Sequence, residues 1–514
     1  MKNNFIHTAL HCFSESKRCG RLLLPLLCAC FIQGCMTAGP DYVPPDPSVP
    51  DAWHQKVAEE MKSGENSLQK WWTAFDDSVL NRLIARAAEN NLSMKAAYAK
   101  MKESRAALGY ALGEELPDIN SQGTARRQRS GEDFASPLAD NPANYFSLGL
   151  DSSWEIDFWG RIRRSVESAQ AAYEASVEDY RDAMVLLYAE IASVYTDVRT
   201  LQDRIRYAQN NIKAQKDSLR ITRARLRAGI APELDVRQAE LNLSRTESVL
   251  PSLKSSLIQS LNRLSVLVGR PPYALHKELS APGPVPRPPQ KLIVPIPADI
   301  LRQRPDIRSA ERRLAAQTAR IGVATGSLYP RFSISGTLGL EASSGLFDTG
   351  GRYWSFGPSF RWNLFDGGRI RSQIQMEEAR TEQALAAYEL TVLNALEDVE
   401  DSMAAYANES IRLDTLKRSV AAARKSVTLV QTLYKTGLTD FQNVLDMERT
   451  LFEQQDTFAV SQGLVTRNLI RIYKALGGGW YPENPPLKNK NRQQGMGQKI
   501  KDYWNQGVEM LKSD

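Results

Sequence analysis

The chain has 514 residues and a net charge of +6, about half of which lies in the first 34 positions, so it lacks the basic excess that general nucleic-acid binding requires. All five cysteines lie at or before Cys35, which excludes a disulfide framework from the rest of the chain. The histidines (His7, His11, His54, His276) are too scattered for a histidine metal site, and without a nucleotide loop, metalloprotease motif or nucleophile set an enzyme is the least supported class and no cofactor is expected.

Residues 1–34 read as an export signal: a basic segment ending at Arg21, then an apolar run Leu22–Ile32 too short to persist as a spanning helix. The run ends in Ile32-Gln33-Gly34-Cys35, which resembles the lipobox of bacterial lipoproteins. That resemblance implies a covalent lipid on Cys35 and, with Met36 next to it, sorting to the outer membrane; the alternative is an ordinary signal peptide with an incidental cysteine. Residues 35–77 follow as a strap, extended because proline recurs every few residues.

From residue 78 the pattern turns helical, with a helix expected over Val79–Leu112 and Leu80, Leu83, Ile84, Ala87 and Ala88 on one face. Met94 and Met101 on this helix read as packing residues. After Pro117 the period changes to two, weakly over Asp118–Gln128 and then over Tyr145–Trp154, with a polar loop over Arg129–Asn144. Arg161–Ala228 is the next element and contains no Gly or Pro. Its apolar residues step by four and three from Ile162 through Tyr180 and Ile191 to Ile212, a 3.5-residue repeat that predicts a rod of roughly 100 Å. A rod of that length buries its stripe only against other rods. The helix breaks at Gly229 and returns, with Pro251 expected to kink the return.

All of this then happens a second time. YFSLGLDSSWEIDFWGRIR from Tyr145 superposes on YWSFGPSFRWNLFDGGRIR from Tyr353 at an offset of 208 with at least seven identities, and the same offset pairs Gly229 with Gly437. Repeat 1 covers residues 78–270, with a β-hairpin at about 118–154 and a helical tip near 229; repeat 2 covers 298–479, with a β-hairpin at about 331–363 and a tip near 437. Between them residues 271–297 hold nine prolines, a connector expected to lie extended outside the rods. Residues 480–514 form a basic tail, read as flexible and solvated.

Four amphipathic strands of about ten residues suit a membrane barrel, yet a barrel needs about eight strands to close and lipid forbids an open edge. The protein must therefore oligomerise, and three copies giving twelve strands leave a wider lumen than two copies giving eight. The expected fold is a mixed α and β membrane protein with internally duplicated long helical hairpins and four transmembrane β-strands per protomer. A coiled-coil lipoprotein spacer would explain the rods, but not duplicated strands of membrane length.

The stretch from Cys35 to Trp480 resembles the TolC/OprM family of outer-membrane factors, in its lipoprotein (NodT) branch. The resemblance is carried by Cys35 with GPDYVPP, WWTAFDDSVLNRLIARAAENN, SSWEIDFWGRIRRSVE, RLRAGIAPELDVRQAE and YKALGGGW. It implies a homotrimer with a 12-stranded β-barrel in the outer membrane of a Gram-negative bacterium and a 12-helix α-barrel through the periplasm. It also implies a passive exit duct that works with a periplasmic membrane-fusion adaptor and an inner-membrane RND transporter. A type I secretion duct is the alternative within the same family. The tip motif of the family maps onto Arg227, Gly229, Asp235 and Val236, and in repeat 2 Lys435, Gly437, Leu438 and Asn443 stand at the corresponding turn. Asp440 is the candidate gate carboxylate; the other reading of it, compatible with the first, is a cap for the helix that follows. Asp440→Ala is expected to loosen the closed state.

Overall fold

The computed structural model describes residues 37–47, 49–54, 66–129, 131, 142–288, 303–343 and 351–480. Cys35 and the signal segment, most of the 129–144 loop, the connector beyond 288 and the tail beyond Trp480 lie outside the described residues. A helical turn at Asn66–Gln69 and a 3-10 turn at Trp71–Phe75 lead into α1 (Ser78–Asn90) and α2 (Leu92–Gly113). The single helix expected here is thus two. Asn91 between them is extended, and its buried amide caps α2 at Met94 N (3.0 Å) while donating to the carbonyl of Leu267 (2.8 Å). A polar residue inside an amphipathic pattern gives no sign of such a distant partner.

Next come β1 (Asp118–Gln128), β2 (Ala143–Ile156), α3 (Arg161–Arg227) and α4 (Glu233–Leu267). Repeat 2 supplies α5 (Pro305–Gly326), β3 (Arg331–Ala342), β4 (Arg352–Arg361), α6 (Arg369–Lys435) and α7 (Phe441–Ala475). Upstream of each long helix, before its N-cap glycine (Gly160 or Gly368), an aspartate accepts from amides of the first turn. Asp157 takes Ile162 N (3.1 Å) and Arg163 N (2.8 Å), and Asp366 takes Ile370 N (2.7 Å). The expected Pro251 lies inside α4, which runs without interruption across it.

The strands form one antiparallel sheet in the order β1-β2-β3-β4. Its register puts Leu150, Leu338 and Trp354 in one row, and Ile156, Phe332 and Phe360 in another. The alternate rows carry Asn120, Asp151, Thr337 and Ser355. One face is therefore apolar and the other polar, as a two-residue period dictates. Among the described residues nothing covers the apolar face: Trp354, Phe356 and Phe360 are all exposed. Among the described residues β1 and β4 leave two unpaired edges.

Below the sheet, α3 packs against α2 and α5 and then against α4 and α7, while α6 packs against α5 and α7. At 67 residues each, α3 and α6 span about 100 Å, and the shorter helices flank them in two tiers. Contact on several sides explains why α3 buries far more than its apolar stripe. Ser168, Thr196, Gln202 and Asn211 are buried with it, whereas Val166, Tyr173 and Tyr180 of the stripe are only half-buried. The connector does not lie wholly extended outside the rods: residues 272–279 form a turn whose Leu275 and Leu279 are buried in the main core, and polar groups of α3 and α7 take up connector carbonyls that have no ladder partners. Arg199 donates to Ala281 O (3.0 Å), Gln202 to Leu279 O (2.7 Å) and Thr466 to Pro286 O (2.7 Å).

The main core joins Trp71, Trp72 and Phe75 to α1, α3, α4, α6 and α7. The strap is fastened at both ends of its described part: Arg164 donates to Ala38 O (3.2 Å) and Asp41 (2.5 Å), and Glu400 on α6 accepts from His54 N (2.7 Å). Met94 and Met101 are buried as packing residues. Gly269, just after α4, has φ +70°, and a Cβ there would lie 2.4 Å from the backbone oxygen of Asn90. Gly269→Ala should therefore cost about 2–4 kcal/mol, read as a lower unfolding midpoint of the purified protein.

Candidate functional site

The tips of the two helical hairpins lie side by side and share one small apolar cluster: Leu219, Val236, Ala239, Tyr434, Phe441, Val444 and Leu445. Both turns end their helix the same way. Gly229 and Gly437 take φ +74° and +78°, and the next amides reach back, Ile230 N to Arg225 O (3.0 Å) and Leu438 N to Leu433 O (2.9 Å). This is the wrap that a left-handed residue after a helix permits, and glycine adopts it at no steric cost.

The residues singled out from sequence separate into three roles. Gly229 and Gly437 make the turns, and Val236 is a buried packing residue. Arg227, Lys435 and Leu438 are exposed. Ile230, Leu234 and Leu438 leave an apolar rim at the ends of the hairpins.

Asp440 occupies the position just before α7 in an extended conformation, but its side chain makes no capping bond. The helix-cap role open to it in the sequence is thus unused. Its electrostatic neighbour is Asp235, whose carboxyl is raised above the ordinary aspartate range, first by burial and then by the charge of Asp440, while Arg225 holds it down. The two hairpins of one protomer therefore set like charges near each other at the tip, with Arg225 opposing the effect on Asp235.

That cation is the residue the sequence does not single out. Arg225 donates to the carbonyl of Tyr434 (2.9 Å), and its guanidinium lies 4.6 Å from the centre of the Tyr434 ring. It ties the end of α3 to the last carbonyls of α6, where the helix dipole favours a cation. Phe441 completes the contact, 5.2 Å from Tyr434 between ring centres. The repeat hides this link, because the position matching Arg225 in repeat 2 is Leu433. A basic residue in the last turn of α3 was the available signal, and it is a weak one.

A protein-family comparison matches residues 83–270 and 296–478 to the family described as outer membrane efflux protein. Nodulation protein T of Rhizobium leguminosarum bv. trifolii is 30% identical over 456 residues, covering 88% of this chain and 96% of that protein. Outer membrane protein OprJ of Pseudomonas aeruginosa is 31% identical over 468 residues, covering 88% of this chain and 95% of that protein. Among solved structures, the outer-membrane channel OprN superposes with a TM-score of 0.80 at 36% identity, covering 86% of this chain and 99% of that one. With the family matched across both repeats and the fold shared with a solved channel, this chain belongs to the outer membrane efflux protein family.

Proposed function

We propose that the protein is the outer-membrane exit duct of a tripartite efflux pump. Three copies close a 12-stranded barrel in the membrane and a 12-helix barrel through the periplasm, passively conducting substrates passed on by an RND transporter and its adaptor. The observation that carries this reading is the four-stranded sheet, which among the described residues has one exposed apolar face, one polar face and two unpaired edges, continuous with helices of about 100 Å. Edges of that kind are tolerated in lipid only when copies of the chain pair them. Support for lateral assembly lower down comes from α6, where Leu390, Leu393, Ile411 and Leu429 are exposed. The strap supports lipidation of Cys35, since its fixed start at Ala38 lies beside the junction of β2 and α3, the height at which a membrane anchor is needed.

The tube is shut at the tips in this reading, and the apolar rim of Ile230, Leu234 and Leu438 receives the adaptor. Engagement of the adaptor lets the inner helices swing outward. Planar-bilayer conductance of the purified protein, with oligomer mass measured on the same sample, tests it. A trimer with small, rarely opening currents is expected; a non-conducting monomer or dimer would return the spacer reading. The charge of Asp235 beside Asp440 supports the opposite sign to the one expected from sequence. Asp440→Ala removes a like charge facing Asp235, so open probability should fall, by no more than about fivefold at an exposed site, and the effect should vanish in high salt.

A further inference from the structure

Above the tip cluster, one carboxylate is enclosed by all four helices of the lower tier. Glu448 on α7 is 3% exposed. It accepts from Ser218 Oγ on α3 (2.5 Å), Asn242 Nδ2 on α4 (3.3 Å) and Gln431 Nε2 on α6 (3.1 Å). All three donors are neutral. The charges on the same stretches pair among themselves: Asp217 with Arg220 on α3 (3.6 Å), Glu240 with Arg237 on α4 (3.1 Å) and Asp446 with Arg449 on α7 (3.9 Å). On α6, Arg424, Lys425 and Lys435 are exposed, and the titratable Tyr434 has its hydroxyl pushed up by burial. The matching carboxylate of repeat 1, Glu240, is bound by two arginines, Arg223 (2.7 Å) and Arg237 (3.1 Å). In repeat 2 the matching acid is buried, and Gln431 and Leu445 stand where repeat 1 has Arg223 and Arg237.

A second observation marks the place as unsatisfied while the hairpins are packed. One turn from Ser218, Gln215 is also 3% exposed, and among the described residues neither its side-chain oxygen nor its side-chain nitrogen has a hydrogen-bond partner. A buried amide and a buried carboxylate without a cation are costly together, and rearrangement or a proton relieves that cost. Ser218 and Gln431 also line the open cavity of about 300 Å³ between the two hairpins, together with Tyr434 and Phe441. Whatever separates the hairpins at that cavity takes donors away from Glu448.

We propose that Glu448 is an acid latch of the duct: protonated, it holds the two hairpins of each protomer together; ionised, it favours their separation and the open tip. The latch rests on the reading of the helix tips as a gate. Its sign follows from the environment. Burial outweighs the three hydrogen bonds and holds the carboxyl above the ordinary glutamate range while the helices are packed. In an opened, wet junction the value returns to ordinary, so proton uptake favours the closed form and loss of the proton favours opening.

The test is open probability in planar bilayers as a function of pH for the wild-type trimer, Glu448→Gln and the matching Glu240→Gln. Wild-type openings should become more frequent as pH rises through the raised range. Glu448→Gln should stay infrequently open with a flat profile, and Glu240→Gln should keep the wild-type profile. Ser218→Ala, which removes a donor to the ionised form, should move the midpoint upward by about one pH unit, and it serves if Glu448→Gln does not assemble. A pH profile unchanged in Glu448→Gln, or a midpoint unmoved in Ser218→Ala, overturns the latch and leaves the duct standing. Wild-type trimers silent at every pH would overturn both.

Discussion

Arg225→Ala will leave the trimer assembled and raise its open probability roughly ten- to a hundred-fold, because a charge-assisted hydrogen bond of about 1.5–3 kcal/mol is lost from the closed tip alone. The bond in question joins Arg225 to the carbonyl of Tyr434, and so the end of one hairpin to the end of the other. Arg225→Lys should fall between, keeping the charge but losing the planar group that faces the Tyr434 ring. The variant also changes the response to acid. Arg225 is the group that holds the Asp235 carboxyl down against burial and Asp440, so without it that carboxyl climbs further. A raised acid in the packed tip favours the closed form when protonated. Lowering the pH should therefore reclose Arg225→Ala channels, beginning at higher pH than any such effect of Asp235 in the wild type. Single-channel recording across pH checks both parts, and wild-type gating in Arg225→Ala would remove Arg225 from the gate.

The second large effect is on stability. Trp71→Ala should cost about 3–5 kcal/mol, the range for truncating a buried aromatic side chain. Trp71 is 1% exposed, stacks on Tyr473 at 5.2 Å between ring centres, and meets Trp72 and Phe75 edge-on. Tyr473 belongs to the same buried layer, and burial pushes its hydroxyl up to about 12. Trp71→Phe should recover part of the loss through the stack. A fall in the unfolding midpoint of Trp71→Ala, with no change in conductance from channels that remain assembled, would separate this role from gating. An unchanged midpoint would show that the strap and connector hold the middle of the molecule without that layer.

Sequence alone determined the elements and their duplication, because a 3.5-residue repeat, a two-residue repeat and a proline run are each local patterns. The 208-residue offset, the two helix-ending glycines and the four strands of membrane length follow from them, and so does the need for further copies to close the sheet. Tertiary structure decided what the local code leaves open. Asn91 breaks a helix because Leu267 offers a carbonyl 176 residues away, and Arg225 becomes a tip clamp because Tyr434 lies beside it. Glu240 and Glu448 occupy matching places in the two repeats, yet one is solvated among arginines and the other is enclosed by neutral donors. The physical reason is the same in each case: a polar side chain takes its energy, charge state and role from partners that folding brings to it, and those partners are distant in the chain.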